Sequence, residues 1–266
     1  MSAVSRLWRR APAWRFFVFA TIAFAALAAM FPPHWMTVPV AQTPSPHFTL
    51  PPANPPSDGG RLELPGDEAT RSGVIPFSGH KLPLPAGTWQ ELALAQASGA
   101  SAVQVSLLAR IENEHLTGLE MAAAPSPLSN SIGGFNGAGP CNATNAIVQE
   151  TIPVPGANPL ARECWALSET AMTGDNAGIR KAEILHRGLD RLAHMGVQVP
   201  DHMMVLSYLR TDETGWMTTF LFLPGRRADP NHRLINWVKK FAPLLHKGYE
   251  STLTSAELAA VGHDPA

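Results

Sequence analysis

The stretch Val103–Ala123, VQVSLLARIENEHLTGLEMAA, decides the fold. Val103, Val105, Leu107, Ala109 and Ile111 alternate with Gln104, Ser106, Leu108 and Arg110. That two-residue period belongs to a strand. Glu112-Asn113-Glu114 makes a polar turn, and the return strand from His115 to Ala123 places Leu119 and Met121 on one face. Upstream, Thr88–Gln96 (TWQELALAQ) reads as a strand entering the same sheet, with Ala86-Gly87 as its turn. Together they predict an antiparallel three-stranded meander.

Toward the C-terminus, a Gly/Ser/Pro-rich loop spans Pro125–Pro140, followed by short strand candidates at Ala146–Ile152 and Cys164–Ser168. Residues 177–196 carry a helical period through Ala182, Leu185, Leu189, Leu192 and Ala193, with Gly196 and Pro200 as the stop. A second hairpin, Met203–Arg210 and Trp216–Leu223, turns at Thr211–Gly215. Its strands are apolar on both faces in part, which places them centrally in a covered sheet. In the last helix Asp229 is the expected cap and Pro230 the first helical residue. Its apolar stripe is Leu234, Trp237, Val238, Phe241, Leu244 and Leu245, and Pro243 is expected to kink or shorten its last turn. The fold class is therefore α+β, an antiparallel sheet with two helices packed on it, over residues 79–250 with a tail at 251–266.

Toward the N-terminus the character changes. Eleven prolines fall between positions 32 and 76, so residues 32–78 read as a Pro-rich, extended tether. Before it, Phe16–Phe31 (FFVFATIAFAALAAMF) is a sixteen-residue run without a charge, ended by Pro32-Pro33. As a helix it reaches about 24 Å, a little short of a hydrocarbon core, and Trp14 and Trp35 can sit in the two headgroup zones. Residues 1–15 hold four arginines and no acid, which puts that end in the cytoplasm. Taking those four from the 20 basic residues leaves 16 against 21 acids, a net of −5 for the rest. Ala26-Leu27-Ala28 fits a signal-peptide cleavage pattern but lies inside the apolar run, so a retained signal anchor is the favoured reading over a cleaved leader. The expected location is a bacterial inner membrane, single pass, with the C-terminal domain in the periplasm.

The chemistry-bearing motifs are sparse. Cys141 and Cys164, the 2 cysteines of the chain, read as a structural disulfide, with Trp165 packed against it. Closing that loop contributes roughly 3 kcal/mol in the chain-entropy model. His186, His194 and His202 are spaced by eight, which does not gather them on one helix face, so no metal site is assigned. Gly133–Gly139 fails both phosphate-loop patterns, because Pro140 and Cys141 stand where Lys and Ser/Thr are needed and Asn142 replaces a required Gly. No Gly-x-Ser-x-Gly elbow occurs, and Asp201-His202 and Asp190/His194 read as surface groups rather than acid–base pairs. Asn142-Ala143-Thr144 is a glycosylation sequon. Arg226, Arg227, Arg233, Lys239 and Lys240 form a basic group that reads first as a solvated face, with anionic lipid or a partner as the alternative it could meet.

No catalytic residue and no cofactor is assigned, and a net charge of −1 argues against nucleic acid as a partner. The expected function is binding or support of another envelope component by a membrane-tethered domain. The alternatives are an enzyme with a dispersed site and a small-ligand carrier.

Overall fold

Alternation along Val103–Ala123 is realised as a tight antiparallel hairpin. Asn113 and Glu114 both take left-handed φ, 52° and 64°, closing a two-residue turn whose twist matches its strands. The computed structural model describes residues 61–65, 69–96, 102–126, 139–154, 161–172, 183–225 and 232–265. Its strands begin with β1 (Arg61–Glu63), β2 (Thr70–Arg71), β3 (Val74–Phe77) and β4 (His80–Pro83). The meander is β5 (Trp89–Gln96), β6 (Val103–Glu112) and β7 (His115–Pro125). Then come β8 (Val148–Ile152), β9 (Arg162–Ala171), β10 (His202–Thr211) and β11 (Trp216–Leu223). Three helices are described: α1 (Glu183–His194), α2 (Arg233–Tyr249) and α3 (Ser255–Val261).

The main sheet runs β1-β5-β6-β7-β11-β10-β9-β8, with β2 on the other end of β5, and β3–β4 form a separate hairpin. All its pairings are antiparallel, so the α+β expectation holds and the hairpin β10–β11 is central as read.

Register sorts the side chains into two layers. Ser106, Ala122, Thr219, Tyr208 and Trp165 lie side by side on one face. There the core takes in Leu234, Trp237, Phe241 and Leu245 of α2 and Phe77 and Leu82 of the β3–β4 hairpin. Leu107, Met121, Phe220, Ser207 and Ala166 lie on the opposite face, which α1 covers with Ile184, Leu185 and Leu192. Two glycines set how close the helices come. A Cβ on Gly188 would stand 2.1 Å from the Leu107 side chain, and one on Gly248 would stand 2.2 Å from the Lys81 carbonyl oxygen.

The disulfide Cys141–Cys164 is present, with Cα atoms 5.3 Å apart. It ties a 3-10 turn, Gly139–Asn142, onto β9. Cys164 belongs to the α1 face of the sheet, two residues before Ala166. Trp165 therefore points the other way and does not pack on the bridge, because successive strand residues alternate faces.

Other expectations need correction. The tether read over 32–78 overlaps the folded region, since β1, β2 and β3 lie within it. The tail at 251–266 contains α3, so the described residues hold three helices where two were expected; Thr254 and Glu257 close a capping box at its start. His232, in left-handed φ of 49°, occupies the N-cap of α2 without a side-chain cap, whereas Asp229 and Pro230 lie outside the described residues. Pro243 does not end α2. Its position is exposed, so water can serve the carbonyl one turn earlier that loses its hydrogen bond. The expected membrane helix at 16–31, the tether up to residue 60 and most of the Gly-rich loop fall outside the described residues. Among those described, no helix is long and apolar enough to cross a membrane.

Arg110 fastens the C-terminus to the sheet. Its Nη2 and Nη1 reach Asp264 Oδ2 and Oδ1 at 2.6 and 3.2 Å, while further donations go to the carbonyls of Ala86 and Thr117. Both side chains of the pair are buried, and the guanidinium lies 5.5 Å from the Trp89 ring centroid. Asp264→Ala strands that charge, and a loss of about 3 kcal/mol or more in urea unfolding is expected. A loss under about 1 kcal/mol would mean that the pair does not hold the terminus.

Candidate functional site

Polar side chains on the α2 face concentrate where β9 and β10 run beneath that helix. Glu163 of β9 pairs in register with Arg210 of β10, so their charges are cross-strand neighbours from the start. Arg210 Nη1 donates to Glu163 Oε2 at 3.0 Å, and Tyr208 Oη donates to Oε1 at 3.1 Å. From α2, His246 brings Nδ1 to 2.9 Å from Glu163 Oε2 and into contact with Arg210 Nη1. His246 Nε2 lies 3.3 Å from Glu250 Oε1, which also accepts from Arg210 Nη2 at 3.2 Å. The Tyr249 ring sits 4.9 Å from the guanidinium and stacks on His80 at 4.7 Å. On the β10–β11 turn, the Thr214 amide and hydroxyl donate to Asp212 Oδ1 at 2.8 and 2.6 Å.

The cluster runs from core to solvent. The Glu163 side chain is 1% exposed and Arg210 10%, whereas His246 and Glu250 are 34% and 40% exposed. Burial, then the adjacent Glu163 carboxylate, pushes the Tyr208 phenol well above its ordinary range. Burial likewise raises Tyr249. Burial alone would lower Arg210, but Glu163, with help from Tyr208, Glu250 and Asp212, outweighs it and holds the guanidinium more firmly charged. Burial also opposes ionisation of Asp212, but the two hydrogen bonds from Thr214 prevail and keep its carboxyl below the usual range.

His246 Nδ1 sits between the Arg210 Nη1 donor and both oxygens of Glu163, and Nε2 faces Glu250, so both ring nitrogens are engaged within the cluster. The Thr214 hydroxyl is already held by Asp212. The cluster joins α2 to the sheet and shows solvent a carboxylate and an imidazole edge.

A second polar group sits deeper on the same face. Glu120 of β7 lies between Leu108 and Leu221 and is fully buried, with no hydrogen-bond partner for either oxygen among the described residues. The buried Thr219 hydroxyl, diagonal to it across β7 and β11, has none either. Burial raises the Glu120 carboxyl well above the ordinary range, so it is held as the neutral acid. Farther along the sheet, β2 and β3 roof a cleft of about 490 Å³. Leu94, Ile75 and Phe77 supply apolar walls, Gln104 and Ser106 polar ones, and the Arg71–Glu91 ion pair stands at 3.2 Å beside them.

Of the residues singled out in sequence, Cys141 and Cys164 are brought together by their disulfide. His186 pairs with Asp190 at 3.0 Å on the exposed side of α1, where both are surface groups. His202 lies on β10, 3.9 Å from Glu169. Among the described residues no three His, Cys, Asp or Glu side chains are grouped to hold a metal. Sequence reasoning missed Glu163, Arg210, His246 and Glu120. For Glu163, Arg210 and Glu120 the available signal was a charge inside an otherwise apolar strand, as in MMVLSYLR and LTGLEMAAA. No protein-family model matches the chain, and comparison with curated proteins and with solved structures finds no similar protein.

The state of Glu120 has a definite sign in stability. The unfolded carboxyl ionises near 4.5 while the native one stays protonated, so stability falls as pH rises from there toward the native value. Glu120→Gln removes that loss. Denaturation midpoints should show little difference near pH 4, then a gain for the variant growing by about 1.4 kcal/mol per pH unit across the window. A pH-independent difference would mean that the carboxyl ionises in place.

Proposed function

We propose that this chain is a single-pass, membrane-anchored protein of the cell envelope whose extracytoplasmic α+β domain works by binding another envelope component. The observation that carries this reading is the Cys141–Cys164 disulfide, a bond that persists in oxidising compartments outside the cytosol. It agrees with the Arg-rich start and the charge-free Phe16–Phe31 run of the sequence. A binding role is supported by the Glu163–Arg210–His246 cluster, whose groups are spent on one another rather than poised on a free reactive atom. A Pro-rich tether raises the local concentration of such a domain near membrane partners.

The cleft of about 490 Å³ favours one second reading, a carrier of a small ligand with an apolar body and a polar end. In-cell crosslinking of the full-length tagged protein, detergent purification and mass spectrometry separate the two. The expected result is a reproducible protein partner, a mature N-terminus that keeps Phe16–Phe31, and an intact disulfide. A chain cleaved at or after Ala28 and recovered without a partner would favour the carrier instead. Reduced cysteines in the chain as purified would remove the assignment to an oxidising compartment.

A further inference from the structure

The outer side of α2 segregates its charge from the rest of the domain. Its exposed positions are Arg233, Asn236, Lys239, Lys240 and Pro243, and none is acidic. The whole 17-residue helix contains no Asp or Glu, although the chain beyond residue 15 carries a net charge of −5. Several other cations are tied to acids, Arg71 to Glu91, Arg187 to Glu183, and Lys247 of the same helix to Glu257, and Lys81 is held by the Leu253 carbonyl. Lys239 and Lys240 have no hydrogen-bond or ion-pair partner among the described residues. Glu250, just past the helix, is taken up by Arg210 and His246.

Packing fixes this face outward. Trp237, Phe241 and Leu245 on the opposite side are buried against the sheet, so α2 cannot rotate to hide its lysines without exposing that stripe. Resting on the envelope reading above, we infer that this basic face docks on the anionic phospholipid headgroups of the bilayer to which the chain is tethered. Each Lys or Arg held near such a surface adds attraction that decays within a Debye length. The exposed positions offer no large apolar side chain for insertion, so the contact is electrostatic, reversible and salt-sensitive. It lays the domain on the membrane with the sheet beneath α2 turned away from the lipid.

The test uses the full-length chain reconstituted into vesicles of phosphatidylcholine alone or mixed with phosphatidylglycerol. A fluorophore on Asn236→Cys reports energy transfer to a headgroup-labelled acceptor lipid. Transfer should rise about twofold or more in the anionic vesicles and fall back at high salt. It should lose its dependence on lipid charge in the Lys239→Glu/Lys240→Glu variant, whose unfolding midpoint should match the parent because both sites are exposed. Equal transfer in both vesicle types, or a response that survives the charge reversal, overturns the docking; so does acidic-protein binding by the same lysines with no response to lipid charge. Flotation with neutral vesicles after a salt wash reports the anchor separately. A chain that leaves neutral vesicles yet floats with anionic ones in a lysine-dependent way overturns the anchor and keeps the docking.

Discussion

Every residue of β11 is buried, and β10 is buried from Met203 to Thr211. Strands hidden on both faces in the middle of an antiparallel sheet need a layer on each side, and the rest of the architecture follows from that need. The segment between β9 and β10 supplies α1 for one face, over β5 and β6. The segment after β11 supplies α2 for the other, where it meets β4 and β10. The long-range pairing of β7 with β11 then joins the meander to the second hairpin as one sheet.

Such a sheet admits an ionisable side chain on terms that neutralise it. Arg110 and Arg210 meet those terms in the same way. Each has a carboxylate neighbour, a backbone or hydroxyl acceptor network or a second acid, and an aromatic ring against the guanidinium. In both cases part of the neutralising charge comes from beyond α2, through Asp264 and Glu250. The two arginines therefore fasten the C-terminal unit to the sheet by pairs that are costly to break singly. Glu120 has no such partner and is tolerated by keeping its proton.

The regular elements are legible in sequence because strand and helix periods, apolar runs and turn residues are local signals. Trp216–Leu223 was read residue for residue, and the meander differs from its reading by only a residue or two at most ends. What failed was information held in pairings between distant segments. No local pattern says that Glu163 will face Arg210 across two strands or that His246 will arrive from a helix 36 positions beyond Arg210. The prolines in the region before residue 78 suppressed the β3–β4 hairpin, yet Pro76 and Pro83 sit in a two-stranded sheet that leaves edges for them. Helix α3 was missed because its seven residues bury no side chain fully and it is defined by its capping box. Trp165 was assigned to the wrong face by nearness in sequence, where strand alternation already forbade it.

The disulfide completes this account of coverage. Helix α1 covers the β5–β6 end of its face, whereas at the β9–β10 end the covering element is the 3-10 turn at Gly139–Asn142. The region preceding that turn is rich in Gly, Ser and Pro and has no apolar stripe to bury. A covalent bond can hold such a segment against a sheet where dispersion and burial cannot, by restricting the chain before it folds. Because Cys164 and Glu163 are adjacent on β9 and point to opposite faces, that strand is held from both sides, by the bridge on one and by the Arg210–His246 cluster on the other. Reducing the bond would therefore loosen the turn over the α1 face first, while the charged network still fixes β9 beneath α2.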